Sequence, residues 1–486
     1  MFLAAVSRNV YAHPKSPYLQ LLKHAGCEES ALRAMVRQHG VEPTLERLRD
    51  MGVYLTHEEF KGRVDVRRGG KTFRFSEGDF DNPRQASATE IRTGATRSAG
   101  TRVLVRFDYI AGQRAPARRL MLEALGVGDL PIVVWSFSRR AVGMMWWVGL
   151  AHTARPAAQW FYIVDPTLEP VSPGHRIMFR AGQAAGLLRG TRLPYPTHAP
   201  FADAARVLAA VLRARSRSGG CVVVTTPSAA VRLASLAGDQ GEDLVGVTFC
   251  LASEPLTPGK AEELRRRGAR ASSHYAFGEA GAVGCACGHP EAPDDVHLMA
   301  DAFAMILHRR SIPEGGELDG FMITSLLPSV PKIMLNVETD DFGDVTQRRC
   351  HCLFDELGLH SHLASIRSFS KLTGEGMTVL GTDAVRVIEE VLPREFGGRS
   401  IDYQILEVED ERRLTQLWLL VSPSVSGVDA QRIANRFLEE LRKRPGSSVL
   451  WEQAQTIQVV RRDPVQTSGG KLLPFYTLAF TGKPRR

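Results

Sequence analysis

Five stretches of this 486-residue chain place chemically capable side chains at close spacing. In HYAFGEAG, His274 to Gly281, the acid Glu279 is bordered by glycines and follows two aromatics. A carboxylate in such a turn can hold Mg2+, and Tyr275 or Phe277 can stack on a base. In NVETDDFGDV, Asn336 to Val345, adjacent acids can accept from both hydroxyls of a ribose diol. RTGATRSAGTRV, Arg92 to Val103, is dense in Gly, Ser and Thr, whose backbone N–H groups and hydroxyls can wrap a phosphate. It lacks the Gly-Lys-Ser of a Walker A loop. Near the end, TSGGKLLPF sets Lys471 directly behind a Gly-Gly turn. Finally, Cys285 with Cys287 and Cys350 with Cys352 form two Cys-x-Cys pairs, with His289 and His297 just after the first. Two such pairs and a histidine can close a tetrahedral Zn2+ site. Read singly, each stretch serves equally well as a surface loop, a polar turn or a pair of buried thiols. Their order along the chain is what distinguishes them.

Those side chains need elements to hold them. SPYLQLLKHAG and EPTLERLRDMG open the chain as amphipathic helices, each closed by a glycine C-cap. From Leu104 onward apolar runs alternate with helices. IVVWSF, CVVVTT, LVGVTFCLAS and ARASSHYAF read as strands, with ADAARVLAAVLRARSRSGG, AAVRLASLAG and PGKAEELRRRG as helices among them. That alternation predicts a largely parallel sheet with helices on both faces. After Gly315 the pattern changes, and GELDGFMITSLL and PKIMLNVETDDFGDV predict strands of a smaller β element. From Ile366 a further unit follows: strand DYQILEVED, a hairpin turn, strand RLTQLWLLVS and helix DAQRIANRFLEELRKR. The expected division is residues 1–365 as a large α/β domain and 366–486 as a small α+β domain.

Composition excludes several classes. Hydrophobic residues make up 44% and charged residues 23%, as in a folded soluble protein rather than a disordered or fibrous one. MFLAAV is too short for a secretory core, and Arg8 follows it at once. The most membrane-like run, AVGMMWWVGLAHTA from Ala141, falls short of the roughly 20 residues a span needs and reads as a buried helix. A cytoplasmic setting is expected, with the seven cysteines reduced or metal-bound. The net charge of +8 is scattered, with no basic–aromatic stripe, so a nucleic-acid partner is not expected and an anionic small molecule fits as well.

Taken in order, a phosphate loop, ASEP, YAFGE, ETDD and a terminal SGGK resemble the adenylate-forming superfamily, most closely its phenylacetate–CoA ligase-like branch. The resemblance runs from about Ser16 to the C-terminus. It implies ATP, Mg2+ and CoA as cofactors and a large multi-sheet N-terminal domain with a mobile C-terminal one. Thr93, Thr96 and Ser98 fall on the loop that holds the ATP tail. Ala252, Ser253, Glu254 and Pro255 match the turn flanking the adenine. Tyr275, Ala276, Phe277, Gly278 and Glu279 match Tyr-Gly-x-Ser/Thr-Glu, which makes Glu279 the Mg2+ ligand. Asp341 takes the ribose-binding position, and Arg367 falls near the hinge. Lys471 matches the lysine that reaches the acyl and α-phosphate oxygens. The chain departs from the pattern at Gly278, which stands in for a hydroxyl residue, and in VETDD, which lacks an aromatic and a glycine.

The zinc set carried forward is Cys287, His297, Cys350 and Cys352, with Cys285 or His289 as substitutes and metal-free buried thiols as the alternative. Cys27, Cys221 and Cys250 are read as core. His308, His351, His360 and His362 are read as solvated or capping, since no nucleophile motif accompanies them. The segment around Met144 to Trp147 is read as core; the resemblance implies that the region before it helps form the acyl pocket, which points to an aryl or apolar substrate. The expected activity is activation of a carboxylic acid as acyl-adenylate and transfer to a thiol, most simply CoA. A carrier-protein thiol as acceptor and a non-catalytic nucleotide-binding homologue are the alternatives. Neither a membrane partner nor a nucleic acid is expected, and a homodimer is compatible.

Overall fold

The computed structural model describes all residues except 85–88, 93–101, 107–108, 137–138, 140–143, 145, 150–157, 164–165, 167–172, 189–191, 254–255, 312–316, 369–380, 410–414, 428, 443–456, 467–471, 473 and 478–486. Among the described residues two short hairpins come first, β1 (Val66–Arg68) with β2 (Lys71–Phe73) and β3 (Thr89–Arg92) with β4 (Arg102–Val105). The strands that follow form one twelve-stranded sheet. They are β5 (Ile132–Ser136), β6 (Gln159–Tyr162), β7 (Thr197–His198), β8 (Cys221–Thr225), β9 (Val247–Leu251), β10 (Arg270–Phe277), β11 (Gly281–Cys285), β12 (Val296–Leu298), β13 (Phe303–Ser311), β14 (Glu317–Ser325), β15 (Val337–Gln347) and β16 (Ser361–Ser368). Their spatial order is β13-β14-β15-β16-β12-β11-β10-β9-β8-β5-β6-β7.

The two halves of this sheet have different pairing. β7 through β10 pair in parallel, and from β10 onward every pairing is antiparallel. The sequence expectation separated the strands after Gly315 into a smaller β element. Instead β11 bonds back onto β10, and β12 then receives β16, so the two regions share one hydrogen-bonded sheet. The parallel strands read as unbroken apolar runs because helices cover both faces: all five residues of β8 and of β9 are buried. Helix starts are set locally. Thr226 caps Pro227–Asp239 by accepting from Ala229 N–H, and Thr257 caps Pro258–Arg266 by accepting from Lys260 N–H, each with proline at the first helical position.

A four-stranded sheet of order β19-β18-β17-β20 follows, from β17 (Tyr403–Glu409), β18 (Thr415–Val421), β19 (Ile457–Arg461) and β20 (Phe475–Thr477). Its own apolar cluster joins Ile405, Leu419 and Val421 to Ile433 and Phe437 of the helix Ala430–Arg442 and to Val387, Ile388 and Leu392. This unit meets the helices of the parallel half through buried polar groups. Lys260 pairs with Glu389 at 3.1 Å with both side chains 2% exposed, and the Thr257 hydroxyl donates to Glu389. Arg399 donates to Ser235, Ser400 N–H donates to Glu263, and Leu472 packs with Val231 and Ile401.

Candidate functional site

The parallel strands end at the edge where open α/β sheets take ligands. β9 leads into Ala252, whose N–H bonds Thr225 O at the end of β8, and then into Ser253 at φ 73°. β10 ends at Phe277, and the turn Gly278–Ala280 carries Glu279 before Gly281, at φ 79°, begins β11. A bulge between Tyr275 and Ala276 shifts the register and re-aims the end of β10. Tyr275 Oη donates to Asp341 Oδ2 at 2.8 Å, which brings two of the sequence-selected residues into contact from positions 66 apart. Asp341 is placed by β15, and β15 is positioned at its start by Asn336. That side chain is fully buried at φ 50°, a conformation Asn tolerates, and donates to Leu45 O and Val53 O.

The N-terminal segment completes the cluster. Leu55 N–H donates to Asn336 O and Glu338 N–H donates to Leu55 O, so the chain runs alongside β15 into a short helix, His57–Phe60. A Thr56–Glu59 capping box starts that helix, and Glu59 pairs with Arg68 at 2.9 Å. The next residue, Lys61, forms a buried ion pair with Glu279. Burial raises the Glu279 carboxyl, but the Lys61 ammonium and its hydrogen bond outweigh that, so the net position lies below the usual carboxylate range. His57 is held below the ordinary histidine range by burial, with Asp340 opposing and Lys61 reinforcing. Burial, followed by the Asp341 charge, drives the Tyr275 hydroxyl well up, so it stays a donor at neutral pH. Sequence reasoning missed His57 and Lys61. The only local signal was a capped helical turn, THEEFK, whose single lysine follows the four residues of the helix His57–Phe60.

Of the other expected residues, Ala276, Phe277 and Gly278 lie on the same strand end and turn, with the Phe277 ring 5.8 Å from that of Tyr275. Arg367 pairs through its backbone with Phe342 in the β15–β16 ladder. Thr93, Thr96, Ser98, Glu254, Pro255 and Lys471 lie outside the described residues.

The cysteine–histidine set converges as selected. One ligand atom from each of Cys287, His297, Cys350 and Cys352 lies within 4.8 Å of every other, and all four residues are buried. His297 Nε2 is 3.3 Å from both Cys350 Sγ and Cys352 Sγ, and Cys287 Sγ is 3.9 Å from Cys350 Sγ. Ligands at Zn–S of about 2.3 Å in a tetrahedron stand about 3.8 Å apart, so these spacings suit one ion. His297 Nδ1 donates to Leu359 O at 2.7 Å, which leaves the Nε2 lone pair facing the thiols. Burial lowers His297 to about 4, keeping it neutral as a metal ligand requires, and burial raises Cys287 to about 12. The two substitutes fall outside the set: Cys285 points into the core from β11, and His289 offers a backbone N–H to Cys287 Sγ at 3.4 Å.

His362 corrects the expectation of a solvated histidine. It is 2% exposed, meets the His297 ring at a tilt with centroids 3.9 Å apart, and bonds Asp295 at 2.8 Å. Its position in β16, opposite His297 of β12, places it beside the cysteine–histidine cluster. Cys27, Cys221 and Cys250 are buried in the core as expected. Met144, Trp146 and Trp147 are buried as well. No described helix is long and apolar enough to cross a membrane.

No protein-family model matches the chain, and no curated protein matches it. Solved structures do. The anthranilate CoA ligase AuaEII in complex with anthranoyl-AMP is 10% identical over 88% of this chain and 74% of its own, with a TM-score of 0.46. A variant of E. coli MenE with bound OSB-AMS is 13% identical over 84% and 70%, at 0.42. The amide bond synthetase McbA from Marinactinospora thermotolerans is 12% identical over 97% and 91%, at 0.44.

Proposed function

We propose that this protein activates a carboxylic acid with ATP as an acyl-adenylate and passes the acyl group to a thiol, most simply that of CoA. The observation that carries the reading is the Tyr275–Asp341 hydrogen bond near the end of β10, four positions before Glu279, which pairs with Lys61 in the turn that follows that strand. These residues supply an acceptor for ribose hydroxyls, an aromatic wall and a cation-holding carboxylate. A free carboxylate cannot expel hydroxide at neutral pH. Its attack on the α-phosphorus of ATP forms a P–O bond while the bond to pyrophosphate breaks, and pyrophosphate leaves with the electron pair. The thiolate then attacks the acyl carbon, and AMP departs.

Glu279 fits a divalent cation as a buried carboxylate held below its usual range, with Lys61 exchanging off it when the cation binds. When bound, Mg2+ neutralises charge on the phosphate oxygens. Asp341 orients the ribose through its carboxylate, and Tyr275 fixes that carboxylate by donating to it. Lys61, once exchanged off Glu279, is an ammonium within reach of the same phosphates. Lys471 supplies the second ammonium, from residues 366–486 acting as a mobile small domain. Cys287, His297, Cys350 and Cys352 hold a structural Zn2+, with no open position for catalysis. Seven free cysteines support a reducing, cytoplasmic setting.

ATP–pyrophosphate exchange over a panel of aliphatic and aromatic acids tests the reading. Acid-dependent exchange is expected, and its absence across the panel would remove it. Discharge of the adenylate by free CoA, against a carrier-protein thiol, decides the acceptor.

A further inference from the structure

The four metal ligands come from three stretches of chain, and one carboxylate outside the ligand set reaches all three. Cys287 lies just past β11, His297 is on β12, and Cys350 and Cys352 lie between β15 and β16. Asp295 stands two residues before His297 and is 5% exposed. Its Oδ2 accepts from Glu291 N–H at 2.9 Å, in the loop that leaves Cys287, and from the guanidinium of Arg348, two residues before Cys350. Its Oδ1 accepts from His362 Nδ1 at 2.8 Å, and the His362 ring lies against that of the ligand His297.

Arg348 closes the arrangement. Besides pairing with Asp295, it donates through Nη1 and Nη2 to His289 O at 3.4 Å, and its backbone N–H donates to His360 O at 2.9 Å. The N–H of the same His289 points at Cys287 Sγ. The loop after Cys287 and the strand end before Cys350 are therefore tied to each other through the Asp295–Arg348 pair. The neighbouring Asp294 makes the contrast. It is buried as well, at 7% exposure, but it accepts from Ser365 N–H and Ile366 N–H and so anchors β16 rather than the ligand loops.

A tetrahedral sphere fixes how near four ligands must come, but the chain sets the cost of bringing them there. Loops already held in place have lost their freedom before the metal binds, so less ordering entropy opposes binding. A buried carboxylate can do this holding because Arg348 leaves its charge compensated.

We propose that Asp295 is the positioning residue of the metal centre: it holds the three ligand-bearing stretches in register before the ion arrives, and so sets the affinity for zinc. The proposal rests on the zinc reading of Cys287, His297, Cys350 and Cys352.

Zinc affinity of the full chain, measured by competition with a chromogenic chelator, tests it. Asp295→Asn keeps the size of the side chain and removes the charge that Arg348 pairs with. It is expected to weaken zinc binding by about tenfold to a hundredfold. Asp294→Asn is the control and is expected to leave affinity unchanged. Denaturant unfolding separates positioning from plain support of the fold. A residue that only supports the fold stabilises the zinc-free and zinc-bound forms equally, which leaves affinity where it was. The visible bands of the Co2+-substituted protein give a second reading, expected to change in Asp295→Asn and not in Asp294→Asn. Should Asp295→Asn fail to fold, Arg348→Lys keeps the charge without the planar fork that spans Asp295 and His289, and must also weaken zinc binding. Affinity unchanged in Asp295→Asn or, where that variant does not fold, in Arg348→Lys overturns the proposal, as does an equal loss in Asp294→Asn. A wild type that takes up no stoichiometric zinc retires the metal centre and the proposal with it. Tight wild-type binding that is indifferent to Asp295 retires the proposal alone.

Discussion

The cluster of Lys61, Tyr275, Glu279 and Asp341 and the cysteine–histidine cluster both gather several polar side chains at the sheet, yet they are assembled in opposite ways. The metal set draws on Cys287 and His297 and on Cys350 and Cys352, held by neighbouring strands and a short loop, and its four ligand atoms fit one coordination sphere. The other site collects Lys61, Tyr275, Glu279 and Asp341 from three separated segments; an ion pair joins Lys61 to Glu279 and a hydrogen bond joins Tyr275 to Asp341. A coordination sphere forces its ligands into near contact whatever the surrounding chain does. A nucleotide site needs its groups spread along a ligand many ångströms long, so the protein alone leaves them loosely coupled. Substitutions should therefore act on stability in the first cluster and on turnover in the second.

The largest effect that would sharpen this contrast is on rate. Lys471→Ala should cut adenylation by about 10²–10³-fold while thiolysis of supplied acyl-adenylate continues, as single-step traces would show. Equal loss of both half-reactions would contradict its role. On the other side, Cys350→Ser should release zinc and lower unfolding stability by about 4 kcal/mol or more, read by metal analysis and denaturant titration. A chelator-washed wild type with no stoichiometric zinc and unchanged stability would break the comparison there. Glu279→Gln should weaken use of Mg·ATP and also destabilise the fold, because it leaves the Lys61 ammonium buried without its partner. The double variant with Lys61→Met should recover about 1–3 kcal/mol of that stability without recovering turnover; simple additivity would show the pair is not coupled. A smaller effect is expected from Tyr275→Phe, about 1 kcal/mol in apparent nucleotide affinity from the lost donor to Asp341.

A further effect concerns pH. Burial lowers His274 to about 4, below its ordinary value near 6.5. The unfolded chain then binds a proton in that window that the folded chain refuses, so stability falls as pH drops through 6.5 toward 4. Between pH 7 and 5 the loss from this group is on the order of 2 kcal/mol, and His274→Gln should flatten that part of the profile of thermal melts.

Much of the fold could be read in advance, because buried parallel strands such as CVVVT and VTFCL announce themselves by composition. The fusion of the later strands into the same sheet could not, since hydrogen-bond partnership between β12 and β16 leaves no mark on either segment alone. That Tyr275 and Asp341 would meet, and that Cys287, His297, Cys350 and Cys352 would converge, was legible from residue type and order. Lys61 was not: its role comes from the Leu55–Asn336 backbone bridge, a contact over some 280 positions that no local pattern encodes. His362 was misread because a histidine in a strand pattern looks the same whether its face meets water or another ring.

The buried pair between Lys260 and Glu389 has a further consequence for the four-stranded unit it holds. Two charges taken out of water regain most of their mutual attraction only as repayment of lost hydration, so such a pair contributes little net adhesion. What it does impose is exclusivity: any other seating that buried one partner alone would cost several kcal/mol. The contact therefore works as an alignment key rather than as glue. It selects one seated orientation for the four-stranded unit.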